Sequence, residues 1–175
     1  MITCSIVYLL NKVKYEMYRF LEGMFLKNKY MCTIKINLEG GDIQFDVSND
    51  EQLFSFRSGL AFIAIPQFFS TLTSFYQGNT NEVKIDCHGN YDYYIFSSDG
   101  EYILIEHKSH YPIERIFNYQ FSLKGYMEAI DQGFKKYLEQ LENEGIFPLE
   151  NHAFADPLGE DVLNAFYNFS SLLKA

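Results

Sequence analysis

The sequence has no tryptophan, only four prolines, and only 14 lysine and arginine residues among its 175. So few prolines, together with 11 glycines, exclude a collagen-like or linker-like composition. The shortage of basic residues leaves a formal net charge of -9. This balance argues against general binding of nucleic acid, because phosphates require a basic protein face, and it favours cationic partners instead.

Cysteines and long apolar runs are also scarce. Cys4, Cys32 and Cys87 form an odd set, so at least one thiol would lack a partner within the chain in an oxidising compartment. No run approaches 18 apolar residues, and the short stretch from Ile6 to Leu10 lacks the flanks of a secretory signal. We therefore expect reduced thiols, a cytoplasmic location, and a partner that is neither a membrane nor nucleic acid.

The composition that remains is that of a globular protein, with 47% hydrophobic and 21% charged residues. The length suits one domain with its own core. We expect a single domain, 1–175, in which residues 1–30 form an N-terminal amphipathic helix and residues 31–175 form an α+β body. Residues 1–30 carry five basic and two acidic side chains, net +3, which leaves nine against 21, net -12, for the body.

Apolar residues near the start recur at steps of three and four, which predicts the N-terminal helix. They are Ile6, Leu9, Leu10, Val13, Met17, Phe20, Leu21 and Met24. A core-facing helix is the commoner meaning of this pattern, while a membrane surface or a binding partner is the alternative. Translation beginning at Met24 or Met31 is a third interpretation.

The period of the apolar residues changes to two from Met31 onward, which indicates strands. A two-residue turn at Gly40-Gly41 predicts a hairpin in which Lys35 lies opposite Asp46. The next stretch, residues 49–65, satisfies neither the helical nor the strand period well.

A three-stranded meander is predicted over 82–88, 91–98 and 101–108, with two-residue turns at 89–90 and 99–100. Alternation along these strands assigns one face to the core. That core face holds Val83, Ile85, Cys87, Tyr94, Phe96, Ile103 and Ile105.

Three helices complete the prediction. One begins at Pro66, one has Ser122 as N-cap and ends at Gly145, and the last has Asp156 as N-cap and Pro157 at its first position. We therefore predict an α+β fold in which an antiparallel sheet of five or more strands packs against several α-helices.

The only catalytic-looking string is Glu106-His107-Lys108, which resembles the PD-(D/E)xK metal-dependent nucleases. Such a site needs a second carboxylate, from Asp86 or Asp92, to bind a divalent metal. The expected register separates Asp86 from Glu106 by roughly 10 Å and turns Asp92 to the opposite face, beside His107. We therefore expect no catalytic site, metal or cofactor, and interpret Asp92 and His107 as a hydrogen-bonded pair.

The reverse face of the meander mixes aromatic and ionisable side chains. Its candidate partner-binding residues are Asp86, His88, Tyr91, Tyr93, Tyr102, Glu106 and Lys108. Tyrosine offers a large rigid contact area with a polar tip, and carboxylates complement a basic partner, so this mixture suits a protein interface. The alternative is a helix that covers Ile95 and Leu104 while the polar end meets water.

The acidic body, the strand from Tyr91 to Phe96 and the helix from Phe121 to Leu141 together resemble the immunity proteins of bacterial polymorphic toxin systems, including contact-dependent growth inhibition. The resemblance implies a non-enzymatic inhibitor that binds a cognate, cationic toxin and blocks its active site or substrate path. The alternatives are the nuclease described above and a scaffold subunit that forms homodimers through its tyrosine face.

Overall fold

The computed structural model describes residues 13–14, 16–17, 31–39, 42–87, 92–110, 112–147 and 158–174. Its elements in chain order are strands β1 (Thr33–Glu39), β2 (Asp42–Ser48) and β3 (Leu53–Ser58), helix α1 (Ala61–Tyr76), strands β4 (Glu82–Cys87), β5 (Asp92–Ser98), β6 (Tyr102–Ser109) and β7 (Arg115–Ser122), and helices α2 (Leu123–Asn143) and α3 (Glu160–Leu172). The α+β class is thereby confirmed.

The seven strands form two antiparallel sheets, ordered β1-β2-β3 and β4-β5-β6-β7. The prediction of one sheet with five or more strands was therefore wrong for the described chain. A tyrosine hydroxyl explains where the first sheet ends. Tyr94 Oη accepts a hydrogen bond from Arg57 N and donates one to Ser55 O, both at 3.2 Å, so it satisfies the free edge of β3 in place of another strand.

The first hairpin has the predicted register, with Lys35 opposite Asp46. The Asp46 carboxylate accepts hydrogen bonds from Gln44 and from the Ser55 hydroxyl on β3, both at 2.6 Å. Alternate residues of β2 and β3 turn inward and are buried, including Phe45 and Phe54.

The second sheet confirms one predicted register and corrects the other. Cys87 lies opposite Asp92 as expected, but Asp92 pairs with Ser109 and not with His107. The cause is the loop before β6, where Asp99 Oδ1 accepts hydrogen bonds from the amides of Glu101 and Tyr102 at 2.9 and 2.7 Å. This Asx-type loop is two residues longer than the predicted turn, and because strands have a period of two, the shift changes partners without changing faces.

One core lies between the two sheets and the helices. Phe54 of the first sheet contacts Tyr94 and Phe96 of the second, with ring centroids 5.5 and 6.1 Å apart. Phe69 of α1 contacts Phe166 of α3 at 5.3 Å. Six of the seven predicted core residues of the meander are buried, and Val83 is half-buried.

The helix boundaries are partly as predicted. Ser122 accepts a hydrogen bond from Gly125 N at 3.2 Å, and Gly145 has a φ of 71°, so both predicted ends of α2 are confirmed. Helix α1 begins at Ala61 and contains Pro66, so the predicted start at Pro66 was wrong. At the sixth position of the helix, proline lacks the N–H for one backbone hydrogen bond, and its ring crowds the carbonyl of Phe62.

The predicted start of the last helix was also wrong. Helix α3 begins at Glu160, with Gly159 as its N-cap, and the expected cap residues 156–157 lie outside the described residues. An acidic first turn, Glu160 and Asp161, complements the helix dipole there.

Little of the N-terminal segment is described. Val13, Lys14, Glu16 and Met17 are helical, but Val13 and Met17 are more than half exposed. The core-facing interpretation was therefore wrong for these two side chains, and the other predicted members of the apolar stripe lie outside the described residues. None of the described helices combines the length and the apolar character that crossing a bilayer requires.

Candidate protein-binding face

The side of the four-stranded sheet that points away from the core is here called the outer face. It comprises Glu82, Lys84, Asp86, Tyr93, Ile95, Ser97, Tyr102, Leu104, Glu106, Lys108, Ile116, Asn118 and Gln120. None of these side chains is buried, and Leu104 and Ile116 are 43% and 52% exposed. Since the side chain of Leu104 is open, no described helix covers it, which favours the interface interpretation over the covered one.

Five of the seven predicted partner-binding residues meet on this face: Asp86, Tyr93, Tyr102, Glu106 and Lys108. Asp86, Tyr93 and Lys108 form one cross-strand row over three neighbouring strands. His88 and Tyr91, the other two, lie outside the described residues.

Tyr93 is the centre of a cation-rich cluster. Lys84 Nζ lies 4.0 Å from its ring centroid and Lys108 Nζ lies 5.6 Å from it. The His110 ring is 5.3 Å away. Ammonium groups at these distances are attracted to the negative face of an aromatic ring, so the two lysines help to hold the tyrosine ring in place.

Lys108 also pairs with a carboxylate, because its Nζ lies 2.8 Å from Glu106 Oε1. This hydrogen bond is the main cause that raises the pKa of Lys108, with further contributions from the charge of Glu106 and from Tyr93. The ammonium group therefore stays protonated and paired. A lysine in this state provides a fixed point charge for recognition.

The outer face is much closer to neutral than the protein body. It carries two lysines against three carboxylates, whereas residues 31–175 together carry nine basic and 21 acidic side chains. The sequence-based expectation that carboxylates on this face complement a basic partner is thus only partly met, since Glu106 is already paired with Lys108. Most of the acidic residues of the body lie elsewhere than on the outer face.

The carboxylates of the nuclease alternative are not brought together. Asp86 and Glu106 lie on β4 and β6, which are separated by β5, so their backbones are roughly 10 Å apart at the usual strand spacing. Asp92 points to the inner side, in register with buried Cys87. Within the described ranges, no group of three or more His, Cys, Asp or Glu side chains is placed to hold a metal ion.

His107 and Asp92 lie close together although they are diagonal neighbours. His107 Nε2 is 3.5 Å from Asp92 Oδ1 but forms no hydrogen bond, so the predicted hydrogen-bonded pair is only a close contact. The imidazole ring lies 4.6 Å from the ring of Tyr94 and 5.5 Å from that of Phe117. It is therefore packed among aromatic rings at the margin of the core.

The cysteine thiols of the described chain are poor nucleophiles. Burial raises the pKa of Cys87 to about 12, with smaller contributions from the nearby Asp86 and Asp92 charges. Burial also raises the pKa of Cys32 to about 11. Since the thiolate is the reactive form, neither residue is suited to covalent catalysis at neutral pH.

Strand β7 is the part of the site that the sequence analysis missed. It adds Ile116, Asn118 and Gln120 to the outer face, and Asn118 and Gln120 line a cleft of about 500 Å³ together with Gln52 and its neighbours. The sequence does contain a signal for this strand, because Phe117, Tyr119 and Phe121 alternate with more polar residues at a period of two.

Comparison of the chain with protein-family models, curated proteins and solved structures gives no match. The assignment of a function therefore depends on the geometry of the outer face and on the charge of the body.

Proposed function

We propose that the chain is a non-enzymatic inhibitor, an immunity protein that binds and neutralises a cognate cationic toxin domain. The observation that carries the proposal is the uncovered outer face. On this face, Leu104 and Ile116 are exposed and lie among half-buried tyrosines and charged side chains. Exposed apolar side chains bordered by polar groups are a feature of protein interaction sites.

The apolar and aromatic residues supply the binding free energy in this proposal. Tyr93, Ile95 and Tyr102 remain half-buried in the free protein, so an interface buries their remaining surface together with that of Leu104. Burial stabilises by about 25 cal/mol per Å² of apolar area. Tyrosine is also among the residue types that dominate the energetics of interfaces.

The charges determine which partner binds. The net charge of -12 on residues 31–175 attracts a basic protein from a distance and accelerates encounter. At close range, the fixed pair of Lys108 and Glu106 requires a complementary arrangement on the partner, because an unmatched buried charge is costly.

A protein bound in this way inhibits by covering the toxin's active site or the path of its substrate. The role needs no bond-making groups in the inhibitor. The paired state of Lys108 and the separation of Asp86 from Glu106 support this passive role.

The proposal is tested by capture and rescue. The tagged protein is used to capture partners from its native host, and each captured protein is expressed alone and with the chain in a neutral host. We expect one captured basic protein to arrest growth, and co-expression of the wild type to restore it. If no captured protein is toxic, or if the chain gives no protection, the immunity role is wrong.

A matched pair of variants assigns the effect to the outer face. Tyr102→Ala with Leu104→Ala should abolish the rescue. Tyr167→Ala with Ile63→Ala, which removes one exposed tyrosine from α3 and one exposed aliphatic side chain from α1, should leave it intact. Circular dichroism and thermal melting verify that both proteins are folded.

A cleavage assay provides the opposite test. Nucleic acid is incubated with Mg²⁺ or Mn²⁺ and with either the wild type or Lys108→Ala. We expect no cleavage by either protein. Metal-dependent cleavage by the wild type that is lost in Lys108→Ala would replace the inhibitor proposal with the nuclease alternative.

A further inference from the structure

Strand β7 forms one edge of the four-stranded sheet. Of the residues from Arg115 to Gln120, only Tyr119 is not exposed. Natural proteins usually protect such an edge, because its unpaired backbone groups can pair with another strand.

The hydrogen bonds of Gln120 show which backbone groups point outward from this edge. Gln120 N donates to Gln52 Oε1 at 3.4 Å, and Gln52 Nε2 donates to Gln120 O. Backbone direction alternates along an antiparallel strand, so the N–H and C=O groups of Ile116 and Asn118 point outward as well. Nothing in the described part of the chain bonds to those four groups.

Apolar side chains are concentrated at the same place. Ile113, Ile116 and Phe117 are 66%, 52% and 40% exposed. Three large apolar side chains within five residues of one edge are an unusual exposure for a protein that stays monomeric.

We propose that β7 pairs with β7 of a second copy of this chain, antiparallel and about a two-fold axis at Phe117. In this register Ile116 lies opposite Asn118 of the second copy, and the reverse pair follows from the symmetry. Each of these two pairs exchanges two backbone hydrogen bonds. All four outward groups of each strand are thereby satisfied, and the two sheets become one continuous eight-stranded sheet.

Gln52 defines the length of this interface. Its side chain is already hydrogen-bonded to the backbone N–H and C=O groups of Gln120. Strand pairing therefore cannot extend beyond that residue. The unpaired segment is therefore short and centred on Phe117, which matches the two-fold register.

Charge selects a second copy over the cationic partner of the outer face. The sequence of β7, RIFNYQFS, contains one arginine and no acidic residue, so it offers a basic partner no carboxylate. The two-fold register also places Arg115 opposite Tyr119 of the second copy, which avoids a contact between like charges. The outer faces of both copies stay open in this arrangement, and Ile116 and Asn118 are the residues that the two surfaces share.

The proposal is tested by the mass of the purified full-length protein in solution. Light scattering and sedimentation are measured up to about 0.5 mM, because an interface of this small size gives a weak dimer. We expect the dimer fraction of the wild type to rise with concentration.

Two substitutions at one position isolate the backbone contribution. Asn118→Pro removes an outward N–H that bonds nothing within the described chain, and proline is tolerated at such edge positions. Asn118→Ala keeps the N–H. We expect the proline variant to weaken the dimer about tenfold, because two symmetry-related bonds are lost, while the alanine variant dimerises like the wild type.

Ile116→Lys provides a second probe that keeps the backbone intact and is exposed enough to leave the fold unchanged. It should give a monomer over the whole range, and it decides the question if Asn118→Pro does not fold. A wild type that is monomeric throughout, or a dimer that survives Ile116→Lys, would overturn the proposal.

Discussion

The two faces of the four-stranded sheet are built from alternate residues of the same strands, yet they differ in the burial and packing of their side chains. On the inner face, Tyr94, Phe96 and Ile105 are buried, and the rings of Tyr94 and Phe96 contact rings of the other sheet and of α1. On the outer face, Tyr93, Ile95 and Glu106 occupy neighbouring positions and none is buried. The difference separates two tasks, since the inner residues stabilise the fold and the outer residues are available for recognition.

The largest contrast is expected between Phe96→Ala and Ile95→Ala. Phe96 is fully buried and contacts Phe54 and Phe68 at 6.1 and 5.8 Å, so its truncation should lower the free energy of unfolding by about 3–5 kcal/mol. Ile95 is half-buried on the outer face, and its truncation should cost about 1 kcal/mol. Urea denaturation measures both, and equal losses would contradict the division between the faces.

An added methyl group on α2 probes how tightly this helix packs against the three-stranded sheet. A Cβ at Gly133 would collide with the side chain of Ile34 on β1, so Gly133→Ala should destabilise the protein by about 1–3 kcal/mol. The higher helix propensity of alanine acts in the opposite direction.

The control for Gly133→Ala is the same substitution in an Ile34→Ala background. Its cost should be smaller there, because the methyl group that it meets is gone. An unchanged cost in the two backgrounds would mean that the two residues do not contact each other.

Removing one hydroxyl from each of two adjacent tyrosines gives a smaller effect. The Tyr94 hydroxyl bonds to the backbone of Arg57 and Ser55, so Tyr94→Phe leaves two groups of the β3 edge without this partner. We expect a loss of about 1–3 kcal/mol. Tyr93→Phe on the outer face should stay within about 0.5 kcal/mol of the wild type, and thermal unfolding of the two variants provides the measurement.

The last effect is confined to alkaline pH and is absent near neutral pH. The pKa of Cys87 is raised from 9.0 to about 12 in the folded protein, chiefly by burial. A raised folded pKa gives stability that is complete below pH 9 and is lost as the pH rises through 12. Unfolding free energies measured at several pH values should therefore fall less steeply in Cys87→Ala than in the wild type, and parallel curves would argue against this burial.

Local rules predicted much of this fold from the sequence. The predicted two-residue turns gave the expected registers of β1 with β2 and of β4 with β5, which the strand pairings confirm, and the caps at Ser122 and Gly145 fixed the ends of α2. These features depend on residues that are close in sequence, which is why their patterns suffice.

The failures arise where distant residues decide the structure. The Tyr94 hydroxyl closes the edge of β3 from 39 positions away in the chain, so the pattern of either strand alone does not reveal two sheets. The Asp99 side chain lengthens the loop before β6, which a two-residue turn rule misses. For the site, alternation alone identified the outer face, but only the packing of the helices showed that the face is open.

The most direct test of the account is the affinity of the purified chain for the basic protein that it captures, measured by calorimetry at low and at physiological salt. Tyr102→Ala with Leu104→Ala should weaken binding at least about tenfold, because large aromatic side chains supply much of the free energy of an interface. Tyr167→Ala with Ile63→Ala should bind like the wild type. Equal affinity of all three proteins would show that the outer face of the sheet is not the binding site.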